Sequence, residues 1–237
     1  MNKKIYTSVA LLSFLWMTEG RAEENKALTE TIRGAITDLI EDNAVFANET
    51  SQKHYKEFLD VQNPRVTMVL CSDSRVQTDN FSQGAENDIF IARNIGNQFI
   101  TTAGSIEYGV DVLKTPVLLI VGHSHCGAIK AAMGDISYLP PGIRKEVETI
   151  DVKSAADDKQ GVIVNVHYQV EKALGQFKEK VTAGQLAIVG AVYDFRNDYG
   201  YGNGQLIIVD LNGEKDPEKI KNSHYFDNIK KVSIGAE

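Results

Sequence analysis

Two apolar stretches end in residues that can bind a metal. Val66-Thr67-Met68-Val69-Leu70 runs directly into Cys71-Ser72-Asp73-Ser74-Arg75, and the apolar residues 116–121 are soon followed by His123-Ser124-His125-Cys126. Short, almost wholly apolar runs rich in β-branched residues predict strands that are buried on both faces. In an open parallel sheet, ligands bind beyond the carboxyl ends of the strands. If the two strands are neighbours, both cysteines and the first histidine should meet in one crevice.

The rest of the chain predicts an α/β fold, with a mostly parallel central sheet flanked by helices. The last two predicted strands are joined too briefly for a crossover helix, so we expect an antiparallel edge strand there. We expect a break at Pro140-Pro141 and a loosely held tail over the last dozen residues. The predicted strands are residues 66–70, 88–92, 116–121, 186–193 and 205–209, and the predicted helices are residues 24–48, 51–59, 105–113, 128–133, 161–181 and 217–222.

The first two helices form N-terminal arms that precede the first strand. In residues 24–48, large apolar side chains recur at nearly helical spacing among polar ones. Such a face packs either on a partner subunit or on the core of its own chain, and periodicity alone is compatible with both.

Residues 1–22 have the pattern of a secretory signal peptide. A basic start, Lys3-Lys4, is followed by a short apolar run and by Gly20-Arg21-Ala22, with small residues around a cleavage point. The apolar run, residues 9–17, is too short for a bilayer core, which needs about 20 residues. We therefore expect cleavage after Ala22, export to the periplasm without a membrane anchor, and one catalytic domain over residues 23–237.

The charge of the chain argues against nucleic acid as a partner. The net charge is −7. Removal of residues 1–22 takes away three basic residues and one acidic residue, which leaves −9. An acidic protein without a basic cluster lacks the contacts that bind phosphate backbones or anionic membranes.

The side chains at the two strand ends suit zinc. Two thiolates and a neutral imidazole are soft or borderline ligands, which zinc prefers and which magnesium and calcium do not. Three protein ligands with an open fourth position are typical of a catalytic zinc site. Asp73 and Arg75 follow Cys71 closely, so the carboxylate can pair with the guanidinium. Such a carboxylate could be the fourth ligand, or it could accept a hydrogen bond from a zinc-bound water.

These residues resemble a known family. Cys71-x-Asp73-x-Arg75 together with His123-x-x-Cys126 is similar to the zinc signature of the β-class carbonic anhydrases. The resemblance extends over residues 62–193 and also includes the stretches Phe90-Ile91-Ala92-Arg93-Asn94-Ile95-Gly96-Asn97, Ser105-Ile106-Glu107-Tyr108 and Val192-Tyr193-Asp194.

The resemblance implies a role for each matched residue. It implies one zinc ion per chain, held by Cys71, His123 and Cys126. It implies that Asp73 and Arg75 form the catalytic dyad. In the family, a glutamine and aromatic residues reach the site across a subunit interface, so it also implies a homodimer, or a tetramer made of two dimers. The implied substrate-binding residues are Gln62, Phe90, Tyr108 and Gly127.

The implied activity is reversible hydration of carbon dioxide to bicarbonate and a proton. Zinc-bound hydroxide would be the nucleophile, oriented by Asp73, which Arg75 holds. Members regulated by bicarbonate have a tryptophan where this chain has Met68. We therefore expect the open state near neutral pH, with Asp73 on Arg75. A closed state at low pH, with Asp73 as the fourth zinc ligand, stays open as an alternative.

Other readings of the same residues remain open. The same scaffold could hydrolyse carbon disulfide or carbonyl sulfide, which are also linear and apolar. A non-catalytic exported domain could instead join Cys71 to Cys126 in a disulfide, as an oxidising compartment favours. That disulfide would not require Asp73, Arg75 and His123 at fixed offsets, and a non-catalytic zinc site would more often close with a fourth cysteine or histidine.

Overall fold

The structure is a computed structural model that describes residues 6–56, 58–227, 229 and 231–235, with side chains from residue 23 onward. The chain divides into two compact units, Met1–Leu59 and Asp60–Glu237. The predicted signal peptide falls on residues 1–5, which lie outside the described part, and on residues 6–22, of which only the backbone is described. Its cleavage therefore stays a prediction.

The first unit is helical. Helix α1 spans Tyr6–Glu49, and the single-turn helix α2 spans Gln52–Tyr55. The prediction of a helix over residues 24–48 is confirmed, whereas the second predicted arm is helical over one turn only. Large apolar side chains four residues apart on α1 are each more than half exposed: Leu28, Ile32, Ile36 and Ile40. Among the described helices, none combines the length and the apolar character that a bilayer crossing requires.

The second unit contains one six-stranded sheet. Among the described strands the order is β2-β1-β3-β4-β5-β6, and only the β4–β5 pair is antiparallel. The predicted fold class is confirmed, with one addition: the antiparallel strand β5 has a short strand, β6, on its outer side. The strands are β1 (Val66–Cys71), β2 (Ile89–Asn94), β3 (Val117–His123), β4 (Ala187–Asp194), β5 (Gln205–Leu211) and β6 (Ser233–Ile234).

Helices connect β2 to β3 and β3 to β4, whereas the connection from β1 to the parallel strand β2 contains only a 3₁₀ turn. Helix α3 continues into a π-helical turn at Tyr108–Val112. Three single turns of 3₁₀-helix lie at Thr78–Asn80, Ile100–Thr102 and His224–Phe226. The helices of this unit are α3 (Ala103–Glu107), α4 (Gly127–Ala132), α5 (Pro141–Val147), α6 (Asp158–Thr182) and α7 (Pro217–Lys221).

Three local predictions differ from the structure. Pro141 begins helix α5, because a proline has no N–H to lose in the first turn. Helix α6 begins before residue 161, because the Asp157 side chain accepts a hydrogen bond from the Gln160 N–H and caps it. The predicted tail contains β6, which pairs with β5, and Gly235 donates to the carbonyl of Ile208 at 2.8 Å.

Helix α6 lies directly on the strand that carries His123. A Cβ atom at Gly122 would come within 2.8 Å of Val166 and 2.9 Å of Val162, both on α6. These distances are shorter than a carbon contact allows, so only glycine permits this approach. Gly122 therefore fixes the depth at which β3 and its terminal histidine sit beneath the helix.

We predict that Gly122→Ala destabilises the fold by about 1–3 kcal/mol through overpacking. The matched control is Gly175→Ala on helix α6 itself, where an added Cβ would meet nothing within 4 Å. That variant should be neutral or stabilised by up to about 1 kcal/mol, because alanine favours helix. Urea unfolding measures both free energies. Equal stability of the two variants would show that α6 moves away from β3 at little cost.

Candidate metal centre

The order of the strands brings the candidate ligands together. Strands β1 and β3 are parallel neighbours, with Leu70 paired to Val121. Cys71 is the last residue of β1 and His123 is the last residue of β3, so both emerge at the same edge of the sheet. The chain then turns through His125, which has a positive φ of 56°, and reaches Cys126 just before α4. The predicted crevice is therefore present.

The three side chains form a compact, buried cluster. The candidate ligand atoms of Cys71, His123 and Cys126 all lie within 4.8 Å of one another. The two Sγ atoms are 4.0 Å apart. Two thiolates on a tetrahedral zinc ion, each bonded at about 2.3 Å, lie about 3.8 Å apart. A disulfide would need about 2.05 Å, and both cysteines are free thiols. The disulfide reading is thus wrong for this structure.

The orientation of His123 also fits a metal. Its Nδ1 lies 3.0 Å from the carbonyl oxygen of Ser124, which can only accept, so Nδ1 carries the proton. Its Nε2 is buried and has no hydrogen-bond partner among the described residues. A buried polar atom without a partner is costly. An electron-pair acceptor such as zinc would satisfy this nitrogen.

The electrostatics of the two thiols point the same way. The hydrogen bond from Cys126 lowers the pKa of Cys71, and His123 and the Gly96 N–H lower it further. The interaction with Cys71 and burial together raise the pKa of Cys126. One thiolate therefore forms readily, while the second is held back by the first. A bound cation would remove that barrier, because a coordinated thiol loses its proton.

Gly96 contributes through its backbone. Its N–H donates to the Cys71 Sγ at 3.4 Å. Gly96 has a positive φ of 85°, and a Cβ there would lie 2.7 Å from the side chain of Ile150. The positive φ favours glycine, because other residues would be strained there, and an added Cβ would also force the end of the Ile150 side chain to move. Gly96, which lies within the Phe90–Asn97 stretch, thus contacts the Cys71 sulfur directly through its N–H.

Asp73 and Arg75 form a two-pronged ion pair beside the cluster. Arg75 Nε donates to Asp73 Oδ1 at 2.8 Å, and Nη2 donates to Oδ2 at 2.7 Å. These hydrogen bonds hold the pKa of Asp73 far below its usual range. Asp73 Oδ2 also lies 4.0 Å from the free Nε2 of His123. The carboxylate is therefore ionised, adjacent to the cluster, and turned toward Arg75.

Two further residues shape the site: Arg93, which the resemblance included without a role, and Phe195, which sequence reasoning missed. Arg93 Nη1 donates to the carbonyls of Cys71, at 3.1 Å, and Val76, at 2.7 Å, and so holds the loop that carries the dyad. Phe195 contacts both Arg75 and His123. The available signal for Phe195 was its place just beyond the predicted fourth strand, at the same edge of the sheet.

The implied substrate-binding residues lie in two different places. Gly127 begins α4 next to Cys126 and is exposed. Phe90 and Tyr108 contact each other, with ring centroids 5.7 Å apart, and Phe90 pairs with Thr67 at the start of β1. Gln62 is exposed and precedes β1. Four steps along β1, from Thr67 to Cys71, cover about 13 Å. Gln62, Phe90 and Tyr108 therefore lie at the opposite end of the sheet from the cluster in their own chain.

Solved structures of β-carbonic anhydrases share this fold. The solved β-carbonic anhydrase of Coccomyxa superposes with a TM-score of 0.62 at 23% identity, over 78% of this chain and 90% of that one. Two tetrameric β-carbonic anhydrases of Sordaria macrospora are represented by a match with a TM-score of 0.55 at 23% identity, over 70% and 92% of the two chains. These matches show the shared fold.

Sequence comparison identifies the family itself. Carbonic anhydrase 2 of Mycobacterium tuberculosis is 32% identical over 146 residues, which are 56% of this chain and 70% of that protein. The family model described as carbonic anhydrase matches residues 66–200, more than half of the chain. The chain belongs to the β-class of the carbonic anhydrase family.

We predict that Cys126→Ser lowers zinc content, measured after dialysis against a weak chelator, from about one ion per chain to nearly none. The midpoint of thermal unfolding should fall as well, because metal binding is coupled to folding. Ser72→Ala is the matched control, since Ser72 is exposed in the same loop as the dyad. Full occupancy in Cys126→Ser would refute its assignment as a ligand.

Proposed function

We propose that the protein catalyses the reversible hydration of carbon dioxide to bicarbonate and a proton, with one zinc ion per chain. The observation that carries the proposal is a buried cluster of Cys71, His123 and Cys126 directly beside the Asp73–Arg75 pair, in a chain of the β-carbonic anhydrase family. A structural zinc site would more often close with a fourth cysteine or histidine. Here the neighbouring side chain is a carboxylate held by arginine.

The side chains divide the work as follows. Cys71, Cys126 and the unprotonated Nε2 of His123 would hold the zinc ion. When bound, zinc lowers the pKa of a coordinated water to about 7 and so supplies a nucleophilic oxygen at neutral pH. Two thiolate ligands leave the centre without net charge, which suits an apolar substrate such as carbon dioxide.

Asp73 orients the nucleophile. Because Arg75 keeps it ionised, Asp73 can only accept hydrogen bonds. A nucleophile that donates its O–H to Asp73 is held with a lone pair free for the carbon of carbon dioxide. An alkoxide or a thiolate, which has no O–H to donate, would not be held in this way. Asp73 thus acts by orientation and proton selection, while Arg75 fixes its direction.

We also infer that Asp73 stays on Arg75 near neutral pH. Met68 lies on β1 with 2% exposure, packed in a cluster with Leu70, Val76, Val121 and Tyr193. An unbranched apolar side chain at this place offers no donor to an anion, in contrast to the indole N–H of a tryptophan. A closed arrangement with Asp73 as fourth ligand is the low-pH alternative.

We predict that Asp73→Asn retains zinc and loses carbon dioxide hydration by about 10²- to 10⁴-fold, because an amide can donate where the carboxylate only accepts. Stopped-flow hydration and zinc analysis on the same samples measure both effects. Asp79→Asn, an exposed aspartate in the following 3₁₀ turn, is the control and should match the wild type.

Unchanged turnover in Asp73→Asn would remove the proposed role of the dyad. If the wild type binds zinc but does not hydrate carbon dioxide, the proposed reaction is wrong, and turnover of carbonyl sulfide or carbon disulfide by the same sample would identify the alternative substrate.

We further propose that the working unit is a homodimer, or a pair of dimers. Phe90 lies about 13 Å along β1 from Cys71, with Tyr108 against it, and Gln62 precedes the strand, so we infer that they serve the metal centre of a second chain. Strand β2 is an edge strand, and apolar side chains on it and on the π-helical turn are exposed: Ile91 37%, Tyr108 44% and Val112 60%. The Sordaria relatives are tetrameric.

Helix α1 gives the dimer a second surface. Its exposed apolar stripe, Leu28, Ile32, Ile36 and Ile40, has the four-residue spacing of a helix face that packs on another surface. We propose that this stripe packs on the partner subunit.

We predict that two inactive variants restore each other. Cys126→Ser would lack a metal centre but keep Gln62, whereas Gln62→Ala would keep its metal centre. In a mixed dimer, the intact centre of the second chain receives Gln62 from the first. Equal co-expression should give about half mixed dimers, each with one whole site, and thus about a quarter of wild-type activity.

Purified single variants that are mixed without subunit exchange are the control and should stay inactive. Activity no higher than the sum of the two variants, in a sample shown to contain mixed dimers, would place Gln62 at the centre of its own chain or outside the site.

A further inference from the structure

Phe195 contacts two members of the site at once. The guanidinium carbon of Arg75 lies 4.8 Å from the centroid of the Phe195 ring. The same ring lies nearly parallel to the imidazole of His123, with centroids 6.1 Å apart and planes inclined by 22°. Phe195 is partly buried, and its side chain has no titratable group and no atom that could bind a metal. Its contacts with the site are made through the side chains of Arg75 and His123.

The backbone beneath Phe195 is firmly held. The preceding residue, Asp194, is fully buried, and its carboxylate accepts hydrogen bonds from the N–H groups of Arg196, Asp198 and Tyr199. The side chain of Asn203 donates to the carbonyl of Phe195 at 3.0 Å. Hydrogen bonds thus hold the loop on both sides of Phe195, so the ring has a fixed position.

The Arg75 side chain has few other contacts that fix its position. It is 46% exposed, so water competes for its donors. Two of its N–H groups bind Asp73, and its remaining polar contact within the described residues is a long one of 3.4 Å to the carbonyl of His125. A cation held over an aromatic face loses freedom to swing into solvent. If Arg75 did swing away, Asp73 would lose its partner while lying 4.0 Å from His123 Nε2.

We propose that Phe195 is a positioning residue that holds Arg75 in register with Asp73 and so keeps Asp73 directed away from the metal position. The proposal rests on the proposed function, in that it assigns a control element to the same site. It assigns Phe195 no contact with substrate. Its effect should therefore appear in turnover and in metal coordination, and not in the apparent affinity for carbon dioxide.

The test compares Phe195→Leu, which removes the aromatic face, with Phe195→Tyr, which keeps it. The matched control is Phe81→Leu. Phe81 packs edge-on against Tyr193 at 5.2 Å in the same aromatic group but has no ring contact with Arg75 or His123. Each protein is assayed for kcat, KM, zinc content and unfolding temperature. The visible absorption of cobalt(II) in place of zinc reports whether a carboxylate has joined the metal.

We expect Phe195→Leu to lower kcat about two- to fivefold with KM unchanged, as loss of one cation–π contact implies. Zinc content and unfolding temperature should match those of Phe81→Leu, and Phe195→Tyr should restore wild-type turnover. The cobalt spectrum of Phe195→Leu should shift toward that of a carboxylate-bound centre. In an Arg75→Ala background, Phe195→Leu should have no further effect, since the two act through one contact.

Two outcomes would overturn the inference. One is a Phe195→Leu enzyme whose kcat and cobalt spectrum match those of Phe81→Leu. The other is an equal loss in the Arg75→Ala background, which would assign the effect to packing or to His123. Failure of the proposed reaction is a separate result: a wild type that binds metal without hydrating carbon dioxide still allows the cobalt spectra to decide whether Phe195 controls Asp73.

Discussion

The site depends on two buried sulfur atoms, those of Cys71 and Cys126, which lie 4.0 Å apart. Two thiolates at that distance repel each other, and in a low-dielectric interior both can be ionised only beside a cation. The surroundings already favour negative charge on sulfur, through the N–H of Gly96. His123 adds an unprotonated nitrogen rather than a further proton donor. The parallel pairing of β1 with β3 therefore creates a site whose chemistry is completed by a divalent metal.

Much of this arrangement could be predicted from sequence, because it depends on strand ends. The core strands are almost continuous apolar runs, and their carboxyl ends are marked by polar residues with metal-binding chemistry. That pattern needs no knowledge of distant contacts, so strands β1 and β3 and the ion pair of Asp73 with Arg75 were predicted correctly in position. Strand β6 was not, since two residues held by pairing with β5 carry no periodicity of their own.

The residues that sequence reasoning missed act through contacts between distant segments. Phe195 reaches Arg75 across 120 positions of the chain, and its role depends on the turn that Asp194 stabilises. Gly96 was included in the quoted stretch, but its N–H on Cys71 and its closeness to Ile150 are visible only in the fold. A hydrophobic pattern indicates which side chains are buried. It does not indicate which aromatic ring lies against which cationic side chain.

The length of β1 links assembly to chemistry. The metal cluster lies at the carboxyl end of the strand, while the aromatic pair of Phe90 and Tyr108 lies near its amino end. Four residue steps, about 13 Å, separate them along β1, which is more than a side chain spans. If both groups serve one site, as we propose, they cannot meet within a single chain, and a twofold axis would unite both pairs at once. On this argument a monomer could bind zinc with its own ligands and hold Asp73 on Arg75, yet lack the apolar wall against which carbon dioxide rests. Metal binding and substrate binding would then be separable, the first by the fold of one chain and the second by association.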